Sequence, residues 1–219
     1  MRILIDSAEI EAIHQALATG FVAGVTTNPT LLRRAGVRAT KVEILARQAL
    51  DAGARELHLQ VYASDTAGML ADARRLVAID TERVVVKIPA TPEGYRATAL
   101  LALDGIRVTL TAVYTLRQTL LAQSVGAHYI AVYLGRMRDT GLDALALVDQ
   151  MQALLRAQRA AVTILAASIR DPEEVVTLGL AGIGAATLPA AILGQLLESD
   201  ATARAAAVFG DDTHAISEE

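Results

Sequence analysis

The 219 residues suit one large domain, and a hydrophobic share of 53% supplies ample core. Aromatics are only 3%, so that core is built of Ala, Leu, Val and Ile, the composition of helices packed on a parallel sheet. A net charge of −4 with interspersed signs gives nucleic acid no basic face, the absence of cysteine excludes disulfides and thiolate metal sites, and no apolar run reaches the roughly 18 residues of a membrane span.

Strand and helix signals alternate along the chain. Arg2 to Asp6 reads as a first strand, too short an apolar run for a signal peptide, so a soluble cytoplasmic protein is expected. Asp6 or Ser7 caps a helix to about Ala18, with Glu9 in capping-box spacing from Asp6. Val22 to Thr27 is a second strand, stopped by Asn28-Pro29, and a short helix follows through Leu31 to Arg34. A helix over Lys41 to Asp51 precedes strand three, Glu56 to Ala63, and a helix over Thr66 to Ile79 precedes strand four, Val84 to Ile88. Next come a helix over Pro92 to Leu103, strand five over Arg107 to Val113 and a helix over Thr115 to Val125. Tyr129 to Leu134, Val162 to Ala167 and Ala185 to Leu188 complete the strands. Their helices cover Leu142 to Ala157, Pro172 to Leu180 and Pro189 to Leu197. One more helix, Ala201 to Phe209, leads to a polar, mobile tail from Gly210 to Glu219.

Eight strand–helix units without a linker point to an α/β protein, a single (β/α)₈ barrel with an extra C-terminal helix. A doubly wound sheet competes, but no Gly-rich phosphate fingerprint follows the first strand. Gly179, Gly182 and Gly184 read as a helix stop and a turn.

Within strand four, the wholly apolar Val84-Val85-Val86 and Ile88 flank a single lysine. Period two puts Val85 and Lys87 on one face and Val84, Val86 and Ile88 on the other. Burial disfavours a charged ammonium, and a neutral buried lysine is the nucleophile that Schiff-base chemistry requires. The alternative is a lysine that snorkels past the strand end.

In such a barrel the chemistry gathers at the carboxyl ends of the strands, and polar residues recur there. Asp6 ends strand one, Thr26, Thr27 and Asn28 end strand two, and Gln60 lies on strand three. Thr109 and Thr111 share a face of strand five, Tyr133 ends strand six with Arg136 beyond, and Ser168 ends strand seven with Arg170 beyond. Each has a bland reading: Asp6 as a helix cap, Asn28 as a turn residue, Arg136 and Arg138 as a solvated loop, Ser168 as a cap for the helix near Pro172. Together they support one chemistry. Lys87 forms an imine with a ketone, Asp6 moves the proton at the departing hydroxyl, and Gln60, Thr111 and Tyr133 hold a relay water. Thr26 and Asn28 offer hydrogen bonds to substrate hydroxyls, and Arg136, Ser168 and Arg170 form an anion clamp for a phosphorylated sugar. The four histidines show no metal-ligand spacing.

The segments Leu4-Ile5-Asp6-Ser7, Gly24-Val25-Thr26-Thr27-Asn28-Pro29, Val85-Val86-Lys87-Ile88-Pro89, Thr111-Ala112-Val113-Tyr114 and Leu165-Ala166-Ala167-Ser168 resemble, in order, the small transaldolase family, which includes the fructose-6-phosphate aldolases. The resemblance runs to about Ala207. It implies a (β/α)₈ barrel, a Schiff base on Lys87, a proton-shuttling Asp6, sugar phosphate substrates and no metal or organic cofactor. It further implies a decamer of two stacked pentamers, in which the last helix packs on a neighbour. Transaldolases of the family usually carry Glu where this chain has Gln60, Phe at Tyr133 and often Ser at Ala131, so the chain resembles the aldolase branch there. Arg170 is similar to a transaldolase arginine, Leu110 replaces a glycine familiar in the aldolases, and Thr109 fits neither branch.

Overall fold

In the computed structural model, which describes residues 1–217, eight parallel strands close into a barrel in chain order. They are β1 (Arg2–Asp6), β2 (Val22–Thr26), β3 (Glu56–Gln60), β4 (Val84–Pro89), β5 (Val108–Val113), β6 (Tyr129–Tyr133), β7 (Thr163–Ala167) and β8 (Ala185–Leu188), and β8 pairs back onto β1. The helices are α1 (Ile10–Ala18), α2 (Pro29–Arg34), α3 (Val42–Asp51), α4 (Thr66–Val77), α5 (Pro92–Leu103), α6 (Leu116–Ser124), α7 (Leu134–Asp139), α8 (Ala144–Ala157), α9 (Pro172–Leu180), α10 (Ala190–Gln195) and α11 (Asp200–Ser217). The architecture is the (β/α)₈ barrel that the alternating signals predict. Among the described residues no helix is long and apolar enough to cross a membrane.

Two apolar layers follow from the strand period. Val84, Val86 and Ile88 point outward into the large layer shared with the helices, whereas Val85 packs inside the barrel with Leu4, Tyr129, Ala131, Leu165 and Ala185. Lys87 therefore points inward, one step above Val85 along the strand. Helix α5 sits close against the end of this strand because residue 94 is glycine. A β-carbon on Gly94 would lie 2.0 Å from the Pro89 carbonyl oxygen.

Three expectations need correction. Asp6 does not cap α1: its N-cap is Glu9, with no side-chain cap bond, and Ser7 Oγ instead accepts from the Glu9 N–H at 3.1 Å. Arg136 and Arg138 lie on the short helix α7 rather than in a loop, and α7 starts directly after β6 without a side-chain cap. The segment from Gly210 to Ser217 is helical, not a tail. A glycine inside a helix costs only about 1 kcal/mol relative to alanine, too little to end it when the residue keeps helical backbone angles. Helix α11 has no buried residue, and Val208, Phe209 and Ile216 are exposed on it. Glu218 and Glu219, the end of the expected tail, lie outside the described residues.

Candidate active site

The carboxyl ends of the strands surround a cavity of about 160 Å³. Asp6, Asn28, Lys87, Tyr133, Arg136 and Ser168 all line it, beside the apolar Leu31, Ala131, Leu165 and Ala167. Lys87 is only 3% exposed, and its Nζ donates to the Thr27 carbonyl oxygen at 2.8 Å. The lysine therefore does not snorkel out. Thr26 lies beneath the cavity and donates to Asp6 Oδ1 at 2.7 Å, and its hydroxyl also pairs with that of Thr187 at 2.7 Å. Burial pushes the Asp6 carboxyl above its ordinary range, and the Lys87 charge and the Thr26 hydrogen bond only partly oppose that.

Strand β6 brings Tyr133 to the rim, where its hydroxyl pairs with Thr111 Oγ1 at 2.9 Å. The β5–β6 register slips between Leu110 and Val113, and Ala112 sits in the left-handed region with φ +59°. This bulge turns the end of β5 beside Tyr133. Ser168 also has φ +59°, a conformation that costs on the order of 1–3 kcal/mol for a residue with a side chain. The Gly135 N–H donates to the Ser168 carbonyl at 2.9 Å. A β-carbon on Gly135 would lie 2.6 Å from that oxygen, 2.8 Å from Ser168 Oγ and 2.6 Å from Arg170 Nε. Glycine thus lets α7 approach β7 closely enough to set Arg136 beside Ser168.

The remaining expected residues are not among those that line the cavity. Gln60 is half-buried, in register with Lys87 on β4, and does not line the cavity. Thr109 is fully buried below it, bonded to His58 Nδ1 at 2.8 Å. Arg170 is exposed and held by Asp139 through two contacts of 2.7 Å, outside the cavity wall. Ser168 is not a cap, because Asp171 caps α9 through the Glu173 N–H.

Three polar lining residues escape sequence reasoning: Thr30, Arg34 and Thr187. A signal for two of them exists. Asn28 caps α2 by accepting from the Leu31 N–H at 3.0 Å, so Thr30 and Arg34, four apart, share one helical face.

The lower half of the barrel holds a second polar cluster. Glu56 accepts from the Tyr129 hydroxyl at 2.9 Å, His58 Nε2 at 2.9 Å, Arg107 at 3.0 Å and Arg2 at 3.4 Å. Burial would raise the Glu56 carboxyl, but His58, Tyr129 and the Arg2 charge together hold it down to about 2. The ionised carboxylate fixes the imidazole: Nε2–H donates to Glu56, and Nδ1 accepts from the Thr109 hydroxyl. Burial pushes His58 below its ordinary value and, with Glu56, pushes the Tyr129 phenol up to about 12.

The family model described as Transaldolase/Fructose-6-phosphate aldolase matches residues 3–219. The chain belongs to this family. It is 38% identical over 210 residues to a probable transaldolase of Thermus thermophilus, covering 92% of this chain and 93% of that one. A probable transaldolase of Kosmotoga olearia is 37% identical over 212 residues, 97% of this chain and 95% of its relative. One from Pelotomaculum thermopropionicum is 36% identical over 197 residues, 90% of each. Among solved structures, a mandelate oxidase mutant superimposes with a TM-score of 0.63 at 14% identity, over 87% of this chain and 65% of that one. That likeness reports the barrel fold alone.

Proposed function

We propose that the protein is a class I aldolase that cleaves and forms fructose 6-phosphate, with dihydroxyacetone and glyceraldehyde 3-phosphate as the partners. The observation that carries this reading is Lys87, buried on a barrel strand and opening with Asp6 onto one cavity. Lys87 Nζ attacks the ketone carbon and, with loss of water, forms an imine. Asp6 takes the proton from the hydroxyl on the far carbon of the scissile bond. That bond's electrons move into the imine, and the aldehyde leaves. The Thr111–Tyr133 hydroxyl pair, with Gln60 beside the lysine, directs water to protonate and then hydrolyse what remains, releasing dihydroxyacetone. Arg136 and Ser168 receive the phosphate.

A second reading, transfer of the dihydroxyacetone unit to another sugar phosphate, is favoured by the names of the relatives. Product analysis with fructose 6-phosphate, with and without erythrose 4-phosphate, separates the two. Free dihydroxyacetone without acceptor is the expected result, and sedoheptulose 7-phosphate formed only with acceptor would overturn release in favour of transfer. Borohydride with ketose should add mass at Lys87, and repeated failure would favour a non-catalytic sugar-phosphate-binding barrel. The exposed apolar residues of α11 support the further proposal that α11 packs on a neighbouring copy in a decamer of two pentamers, which sedimentation velocity tests.

A further inference from the structure

We propose that Arg34 is the second arm of the anion clamp, closing on the substrate's terminal phosphate from the rim opposite Arg136. The inference deepens the reading above and rests on it for the identity of the phosphorylated substrate.

The basic side chains that line the cavity are Lys87, Arg34 and Arg136. Its one acidic group, Asp6, already accepts from the Thr26 hydroxyl at 2.7 Å. Among the described residues neither Arg34 nor Arg136 has an ion pair or a hydrogen bond, and Arg136 only stacks over the Tyr133 ring at 5.7 Å. Other arginines near the rim are engaged. Arg170 is held by Asp139, and Arg138 is paired with Glu174. Arg34 follows β2 and Arg136 follows β6, four strands apart in a closed barrel of eight, so the two arrive from opposite sides of one mouth.

Two unpaired guanidinium groups facing one small cavity repel each other and favour an anion between them. A guanidinium fork fits a phosphate dianion, whose several oxygens accept bonds from both sides at once. Arg34 thus fills the place in the clamp that Arg170, occupied by Asp139, leaves open. Its neighbour Arg33 turns away to a separate groove with Arg38 and Tyr62 and makes an internal control.

The test has an arm that needs no turnover. Calorimetric titration with inorganic phosphate should show binding to the wild-type protein, unchanged in Arg33→Ala. In Arg34→Ala it should weaken by about ten-fold or more, the loss expected for one charge-assisted bond. Arg34→Lys should recover part of it. In the second arm, with dihydroxyacetone as donor, Arg34→Ala should raise KM for glyceraldehyde 3-phosphate by a similar factor and leave KM for unphosphorylated glyceraldehyde unchanged. No phosphate binding, equal binding in Arg34→Ala, or an equal loss in Arg33→Ala would overturn the proposal. Phosphate binding that depends on Arg34, in a protein that turns over neither aldehyde, would uphold the clamp and sink the aldolase reading instead.

Discussion

Two carboxylates are buried in the same barrel and are driven in opposite directions. Asp6, at the upper end, accepts one side-chain hydrogen bond, from Thr26, and burial pushes it up. Glu56, at the lower end, accepts from Tyr129, His58, Arg107 and Arg2 and is held down to about 2. Burial raises both, so the number of donors decides the sign. The lower end is a satisfied network that ties β1, β3, β5 and β6 together. The upper end gives its carboxylate one side-chain donor, its lysine one carbonyl acceptor and, among the described residues, its two arginines no hydrogen-bond or ion-pair partner, at the face where barrels of this kind do their chemistry.

The largest expected effect tests the upper end. Lys87→Met fills similar space, removes the charge and should abolish turnover and borohydride labelling while the far-ultraviolet circular dichroism is kept. Full activity in this variant would sink the Schiff base. Asp6→Asn comes next and separates activity from stability. The folded pKa of Asp6 lies above its unfolded value, so the protonated form stabilises the fold at low pH, and that contribution is lost as pH rises through the folded pKa. At neutral pH the charge weighs against folding. The variant should therefore melt higher at pH 7 while turnover falls by roughly 10²–10⁴-fold, the worth of a proton-transfer group. A lower melting point would contradict the burial argument.

At the lower end the same type of substitution should do the reverse. Glu56→Gln leaves Arg2 and Arg107 without their shared counter-charge and should cost about 3 kcal/mol, the low end for a broken buried pair because both arginines reach solvent. For a chain of this size that lowers Tm by roughly 6–12 °C, with borohydride labelling of the folded fraction retained. Acid sharpens the contrast. Glu56 has a folded pKa of about 2, below its unfolded value of 4.5, so its stabilisation is present above 4.5 and lost as pH falls toward 2. His58 acts with the same sign: it is kept neutral by burial, so the unfolded chain takes up the proton first as pH drops below 6.5. In an Asp6→Asn background, which removes the opposing contribution of Asp6, melting temperatures should fall across both windows, and adding Glu56→Gln should flatten the lower one.

The sequence exposes local signals and hides long-range ones. Helices α5 and α9 begin where expected because Thr91 and Asp171 cap them, each followed by proline. Lys87 is legible because period two fixes its face whatever the fold. Helix α7 is hidden because it has six residues and no capping side chain. The lower network is hidden because Glu56 meets Arg107 and Tyr129 across 51 and 73 residues. Arg170 reads as a free cation until Asp139, 31 residues earlier, is seen to occupy it. Nothing in the sequence marks Ser168 for a left-handed backbone, since no glycine stands there.

The smallest expected effect, Tyr133→Phe, bears on what the upper end does with its intermediate. The variant removes one hydroxyl and leaves Thr111 Oγ1 without its 2.9 Å partner. A neutral hydrogen bond contributes about 0.5–1.5 kcal/mol, so the fold should survive with little change in Tm. Lys87 and Asp6 are untouched, so cleavage of fructose 6-phosphate should continue. Protonation of the enzyme-bound fragment should slow, which lengthens its life and lets an acceptor aldehyde compete with water. The ratio of sedoheptulose 7-phosphate to free dihydroxyacetone, measured with erythrose 4-phosphate present, should rise a few-fold, the size of effect one hydrogen bond allows. An unchanged ratio would detach the Thr111–Tyr133 pair from the release step and remove the main physical ground for preferring aldol cleavage over transfer.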